Sequence, residues 1–169
     1  SSDVCSSDLG TPTVALGAPT AFATHRLILS NAAAITVVND NYASTPTISG
    51  TFTSGTQFAS LELSNASPVI DVSGLSPEGL IISAAITQNA GNTNAISKTG
   101  VGSLILTNGN SSWTTGLALN GGSLIIGAGS TGSTAGTGIT SGPLGTGVLT
   151  IAANTTLLSD NTVRTNSNN

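Results

Sequence analysis

Gly102-Ser103-Leu104-Ile105-Leu106 and, further on, Gly122-Ser123-Leu124-Ile125-Ile126 are one short phrase written twice. Leu27-Ile28-Leu29-Ser30-Asn31-Ala32 recurs in the same way as Leu61-Glu62-Leu63-Ser64-Asn65-Ala66, and Leu104-Ile105-Leu106-Thr107-Asn108 is a third version. Leu80-Ile81-Ile82 and Leu149-Thr150-Ile151 belong to the same set. Apolar residues two apart are the signature of a strand with one face on a core. The flanking pair then faces inward, and the middle residue, Glu62 and Thr150 included, faces outward. From Leu61 the runs begin at intervals of 19, 24, 20 and 25 residues, a mean of 22. Recurrence on that length marks a stack of similar units.

Such a unit is too short for an ankyrin or tetratricopeptide pair, and helix formers are scarce. Glu, Lys, Arg, Gln and Met are nearly absent, while β-branched residues and the 21 glycines abound. The spacing predicts an all-β, right-handed parallel β-helix (a β-solenoid), each coil made of short strands and turns. About seven coils of roughly 22 residues would give a rod about 35 Å long. The handedness follows the usual rule for β-crossovers. Leu, Ile and Val suit a narrow interior, Gly and Asn suit its turns, and Ser, Thr and Asn stack without charge repulsion.

Charged residues are 6% of the 169 and aromatics 3%, with a formal net charge of −4. Three basic residues cannot form a nucleic-acid footprint, and a coiled coil lacks its charged flanks. No apolar run is long enough for a membrane-spanning helix, and no signal peptide is visible. A membrane β-barrel would need aromatic girdles, which are missing. The chain reads as an internal fragment. Ser1–Leu9 (SSDVCSSDL) resembles a translated sequencing adaptor and is set aside, with Asp3, Asp8 and the lone cysteine, Cys5. Residues 10–169 are then one β-helical unit. Ser130–Gly147 and Asn39–Ser44, with Tyr42, read as loops between coils.

One stretch resembles a known family. Ile96-Ser97-Lys98-Thr99-Gly100-Val101-Gly102-Ser103-Leu104-Ile105-Leu106-Thr107-Asn108, then Trp113-Thr114-Thr115-Gly116 at a turn, then Leu117-Ala118-Leu119-Asn120-Gly121-Gly122-Ser123-Leu124-Ile125-Ile126, is similar to the autotransporter-associated β-strand repeat. Gly142-Pro143-Leu144-Gly145-Thr146-Gly147-Val148-Leu149-Thr150-Ile151 looks like a segment that follows that repeat. The match is best over residues 96–126 and looser to Arg164. It departs from the pattern where Trp113 replaces a commoner Tyr and only one glycine follows. The resemblance implies a secreted bacterial passenger segment, extracellular or at the cell surface and tied to the outer membrane through other parts of a parent protein. It implies a stalk or adhesive role with no catalytic residues.

The candidates for chemistry are few. Gly127-Ala128-Gly129-Ser130-Thr131-Gly132 has G-x-G-x-x-G spacing, but Ser133-Thr134-Ala135-Gly136 is a poor helix start and no acid stands where a ribose partner would. His25 is the only histidine and reads as a polar residue ahead of the Leu27 strand. Asp40, Glu62, Asp71, Glu78 and Asp160 are the remaining acids. Parallel β-helices also host polysaccharide lyases and hydrolases, so a fragment of a carbohydrate-active enzyme is the alternative. It would need converging carboxylates, and Glu62 and Glu78 are the pair that adjacent coils could bring together. Calcium-binding nonapeptide text is absent. Lys98 reads as a solvated turn residue. Trp113 reads as a lid on the core edge, with sugar contact as its functional alternative. The sequence therefore predicts no catalytic, cofactor-binding or metal-binding residue and no cofactor. Its expected partners are surface or carbohydrate ligands, without nucleic acid or membrane insertion, and edge-to-edge self-association of the fragment.

Overall fold

The structure is a computed structural model in which residues 13–16, 25–30, 34–50, 52–54, 57–132 and 138–165 are described. Ser1–Leu9, with Cys5, lies outside them. The described strands are, in chain order, β1 (Thr13–Leu16), β2 (His25–Ser30), β3 (Ala34–Val38), β4 (Thr47–Gly50), β5 (Phe52–Ser54), β6 (Gln57–Ser64), β7 (Val69–Ser73), β8 (Leu80–Ile82), β9 (Ala85–Gln88), β10 (Ile96–Thr99), β11 (Ser103–Leu106), β12 (Leu117–Leu119), β13 (Ser123–Ile126), β14 (Leu149–Ile151) and β15 (Thr156–Ser159). No helix occurs among the described residues.

The strands form three sheets. The first is 6-stranded, ordered β1-β4-β8-β11-β13-β15; the second is 4-stranded, with β2, β6 and β9 and the short β5; the third is 5-stranded, ordered β14-β12-β10-β7-β3. All pairings are parallel except β5 on β6. The chain visits the sheets in a fixed rotation: first, second, third, then the first again one rung along. In the fourth visit the second sheet has no strand, and Ser112 N donates to Ile86 O instead. In the fifth, Gly142 N donates to Ser111 O. Parallel neighbours so far apart in sequence cannot be joined by hairpins, so each rung needs a complete circuit.

The period-two pattern has its expected result inside each strand. Leu80, Ile82, Leu104, Leu106, Leu124 and Ile126 are buried, while Ile81, Ile105 and Ile125 between them are partly exposed. The inward residues of all three sheets join one hydrophobic cluster, from Leu29 to Leu144. The phrase repeats are true register partners: Leu27 pairs with Leu61, Leu29 with Leu63, and Leu104 with Leu124.

The spacing of 22 is not the register. The leucine runs lie in three sheets: Leu27 and Leu61 in the second, Leu80, Leu104 and Leu124 in the first, and Leu149 in the third. Down the column Val14, Ile48, Ile82, Leu106, Ile126 and Ser159 the steps are 34, 34, 24, 20 and 33 residues. The intervals from Leu61 to Leu80 and from Leu124 to Leu149 are moves between sheets, not full circuits. Loops at the corners lengthen the true circuits: Asn39–Pro46 joins β3 to β4, and the segment after Ile126 returns through a bridge between Thr131 and Ser141. The five register steps climb about 24 Å at ~4.8 Å each, less than the 35 Å expected.

Candidate functional site

Polar side chains inside a parallel stack collect at its corners, where backbone groups leave the ladder and need partners. At the corner from the third sheet to the first, β10 carries Ile96 and Lys98 on its inner side. Lys98 sits in register between Ile70 and Leu119. It is fully buried. Its Nζ donates to the carbonyl oxygens of Thr99 at 2.7 Å, Gly100 at 3.1 Å and Gly121 at 3.0 Å. Gly100 makes this possible with φ +76°, and a Cβ there would lie 2.2 Å from Val72 O. Burial lowers the Lys98 pKa from 10.5 to about 8, against the opposing pull of Asp71. The expectation of a solvated lysine is therefore corrected. The stem fills a core column and the corner carbonyls receive the charge.

The corner from the second sheet to the third is held by amides. The buried Asn92 donates through Nδ2 to Asn65 O at 3.1 Å and to Asn94 O at 3.2 Å, and its Oδ1 accepts from Thr115 Oγ1 at 2.6 Å. Gln88 donates to Thr114 Oγ1 at 2.9 Å and accepts from Thr114 N at 2.7 Å. Trp113 beside them is fully buried, and its Nε1 donates to Gly116 O at 2.9 Å. A Cβ on Gly145 would meet the indole at 2.6 Å. With no exposed face, the ring has none to offer a sugar; it is part of the core.

The acids are dispersed. Glu62 faces outward between Leu61 and Leu63, as expected, but is covered there, because Arg26 pairs with it from the preceding rung and Asn89 Nδ2 donates to it at 3.3 Å from the following one. Glu78 accepts from Thr45 Oγ1 at 2.7 Å, Asp40 from Leu75 N at 2.9 Å, and Asp71 from Thr99 Oγ1 at 2.7 Å. Asp160 pairs with Arg164, whose hydrogen bonds hold the carboxyl below the usual range and raise the guanidinium. Glu62 and Glu78 thus take different partners. His25 opens β2 on its exposed side. Gly127–Gly132 leads from β13 to the Thr131–Ser141 bridge, and Ser133-Thr134-Ala135-Gly136, where a helix would have to open, lies outside the described residues. Among the described residues no group of three or more His, Cys, Asp or Glu could hold a metal, and no helix is long and apolar enough to cross a membrane.

What this arrangement does chemically is bind one rung to the next. Sequence reading missed Asn39, Gln88 and Asn92 as its agents. Asn39 is buried, donating to Ser44 O at 3.1 Å and Glu78 O at 2.7 Å. Asn39 and Gln88 have one sequence signal, their position where an apolar alternation stops; Asn92, within a polar turn, has none. Comparison with protein-family models, with curated proteins and with solved structures gives no match.

Proposed function

We propose that the chain is a non-enzymatic structural segment, a right-handed parallel β-helix from a secreted or surface-displayed bacterial protein of the autotransporter-like kind. It acts as a stalk or an adhesive surface. One observation carries this reading: the polar side chains reach along the stack. Asn92, Thr115, Asn108 and Asn120 each hydrogen-bond to a neighbouring circuit. Such contacts stiffen a stack, whereas catalysis needs a nucleophile and base, or two carboxylates, aimed at a common point. The carbohydrate-active alternative leans on Glu62 and Glu78, which engage separate partners. Right-handed winding follows from the rule for connections between parallel strands of one sheet. The surface location rests on the resemblance over residues 96–126.

Two measurements test the reading. Placed between a signal peptide and an outer-membrane translocator, the chain should reach the cell surface as a folded, protease-resistant segment. Retention inside the cell would count against export. Incubated with a panel of acidic and neutral polysaccharides, it should release neither reducing ends nor unsaturated sugars. Turnover that disappears in Glu62→Gln would overturn the structural assignment in favour of the enzyme.

A further inference from the structure

Asparagine is followed by glycine twice in the chain, at Asn108-Gly109 and at Asn120-Gly121. Such a pair can react with itself, and asparagine is thermolabile on that account. The glycine nitrogen, with no side chain beside it, attacks the asparagine's side-chain carbonyl carbon and closes a five-membered ring. The amide must first turn over that nitrogen, so hydrogen bonds that fix the amide hold the reaction back.

The fold treats the two pairs differently. Asn108 is half-buried, and its amide is fixed at both ends. Its Nδ2 donates to Ser83 O at 2.8 Å and its Oδ1 accepts from Asn110 N at 2.8 Å. Asn120 is exposed and follows β12 directly. Its amide is fixed at one end, where Nδ2 donates to Ser97 Oγ at 2.9 Å. The corner is interior to the stack. Asn120 N donates to Lys98 O on the preceding circuit, and on the following one Ala152 N donates to Leu119 O and Thr156 N to Gly122 O. The exposure of Asn120 therefore belongs to the outer side of the stack and not to an end. Lys98 adds a further push. Its ammonium donates to Gly121 O at 3.0 Å, so a positive charge stands on the residue whose nitrogen has to become anionic.

We propose that Asn120 is a site of self-modification: in the folded chain it closes a succinimide with Gly121 and reopens with water to aspartate and isoaspartate, ahead of Asn108. Gly121 N gives its proton to solvent, and its electron pair forms a bond to Asn120 Cγ. The bond from Cγ to Nδ2 breaks, and that nitrogen leaves as ammonia. Water then adds to a ring carbonyl. Cleavage at Cγ leaves aspartate, and cleavage at the main-chain carbonyl leaves isoaspartate. Nothing is oxidised or reduced and only water is consumed, so the reaction holds whether or not the chain is a surface rod.

The two products differ in what they do to the stack. Aspartate keeps the main chain as it was, and Ser97 Oγ can donate to the new carboxylate. Isoaspartate routes the main chain through the former side chain and lengthens it by a methylene. The corner has little slack: Gly122 has φ +67°, and a Cβ there would lie 2.4 Å from Gly102 O. The longer chain displaces Gly121 O from Lys98, whose buried ammonium keeps only the carbonyls of Thr99 and Gly100. A buried charge short of an acceptor is costly.

Storage of the folded chain at neutral pH, followed by mass spectrometry of its fragments, tests this. Asn120 should convert about fivefold faster than Asn108, the difference that one further hydrogen bond makes to a rate. In urea the two rates should converge. Methylation by an isoaspartyl carboxyl methyltransferase should label Asn120 first. Asn120→Gln, which cannot close the five-membered ring, should remove the faster phase. Chains enriched in isoaspartate should unfold at lower urea than fresh ones, and Asn120→Asp should unfold close to the fresh value. Absence of conversion at Asn120, an Asn108 that keeps pace with it in the folded chain, or a gap that persists in urea would each overturn the site. Isoaspartate chains as stable as fresh ones would overturn the link to Lys98.

Discussion

Lys98 shows how a residue can be predicted on the wrong side of a wall that the sequence already marks. Ile96, Ser97 and Lys98 alternate, and parity alone puts Lys98 on the same face as Ile96. What composition could not show is that three backbone oxygens converge there to accept its hydrogens. Its pKa is lowered to about 8 from 10.5, so the folded chain binds fewer protons than the unfolded chain between those values. Stability should therefore rise with pH from about 8 to 10.5, and fall as pH drops back through the folded value. Lys98 is the chain's only lysine, so urea midpoints of Lys98→Met, taken across the same range, should lack that rise. A parallel slope in both chains would show that the buried amine is not its source. Glycine conformation gives a second prediction at this level. Gly145 has φ +65° with the Trp113 ring 2.6 Å from where a Cβ would stand, and Gly138 has φ +68° in open space. Gly145→Ala should cost about 2–4 kcal/mol, adding a steric clash to the backbone strain, and Gly138→Ala about 1 kcal/mol. Equal losses in chemical denaturation would mean that the indole moves aside freely.

Strand identity was legible wherever three conditions met: two apolar residues two apart, a repeated phrase, and a polar boundary. That was enough for the pairing of Leu27 with Leu61 and of Leu104 with Leu124. It was not enough for β4, where Thr47-Ile48-Ser49-Gly50 offers a single apolar residue, or for β15, where Leu157 and Leu158 are adjacent and break the alternation. Nor does alternation say which sheet a strand joins: Leu149-Thr150-Ile151 has the same pattern as Leu124-Ile125-Ile126 yet belongs to the third sheet. The facing assignment itself gives a sharp contrast. Leu104 is fully buried between Leu80 and Leu124, and Ile105 next to it is partly exposed on the outer face. Leu104→Ala should cost about 2–5 kcal/mol and Leu104→Asp should abolish folding of the adjoining circuits. Ile105→Thr should cost about 0.5–1 kcal/mol, as expected for a strand-compatible change at a half-covered site. Thermal melts of the three variants would decide it, and similar losses at both positions would mean that the inner and outer faces are exchanged.

Across the whole molecule, the number of circuits was the least legible quantity, because loops of different length enter the turns and no single period survives. The consequence of stacking is nevertheless independent of that number. Each circuit touches only its neighbours, so stability follows a nearest-neighbour sum and the ends, with one neighbour each, are weakest. The burial gradient agrees: Ile96, Leu104 and Leu117 are at most 1% exposed, whereas Leu157 and Val14 exceed 40%. Native-state hydrogen exchange should read the same order. The amides of β10, β11 and β12 should be the slowest, and those of β1 and β15 should exchange through local fraying well below the global opening energy. Leu157→Ala should then speed exchange in β15 and β13 while leaving β8 and β10 almost unchanged. Leu104→Ala should speed exchange on both sides of its rung, since a weakened middle circuit separates the stack into two shorter ones. If Leu157→Ala instead accelerated every amide equally, the molecule would be opening as one cooperative unit, and the nearest-neighbour account of how its circuits hold together would have to be abandoned.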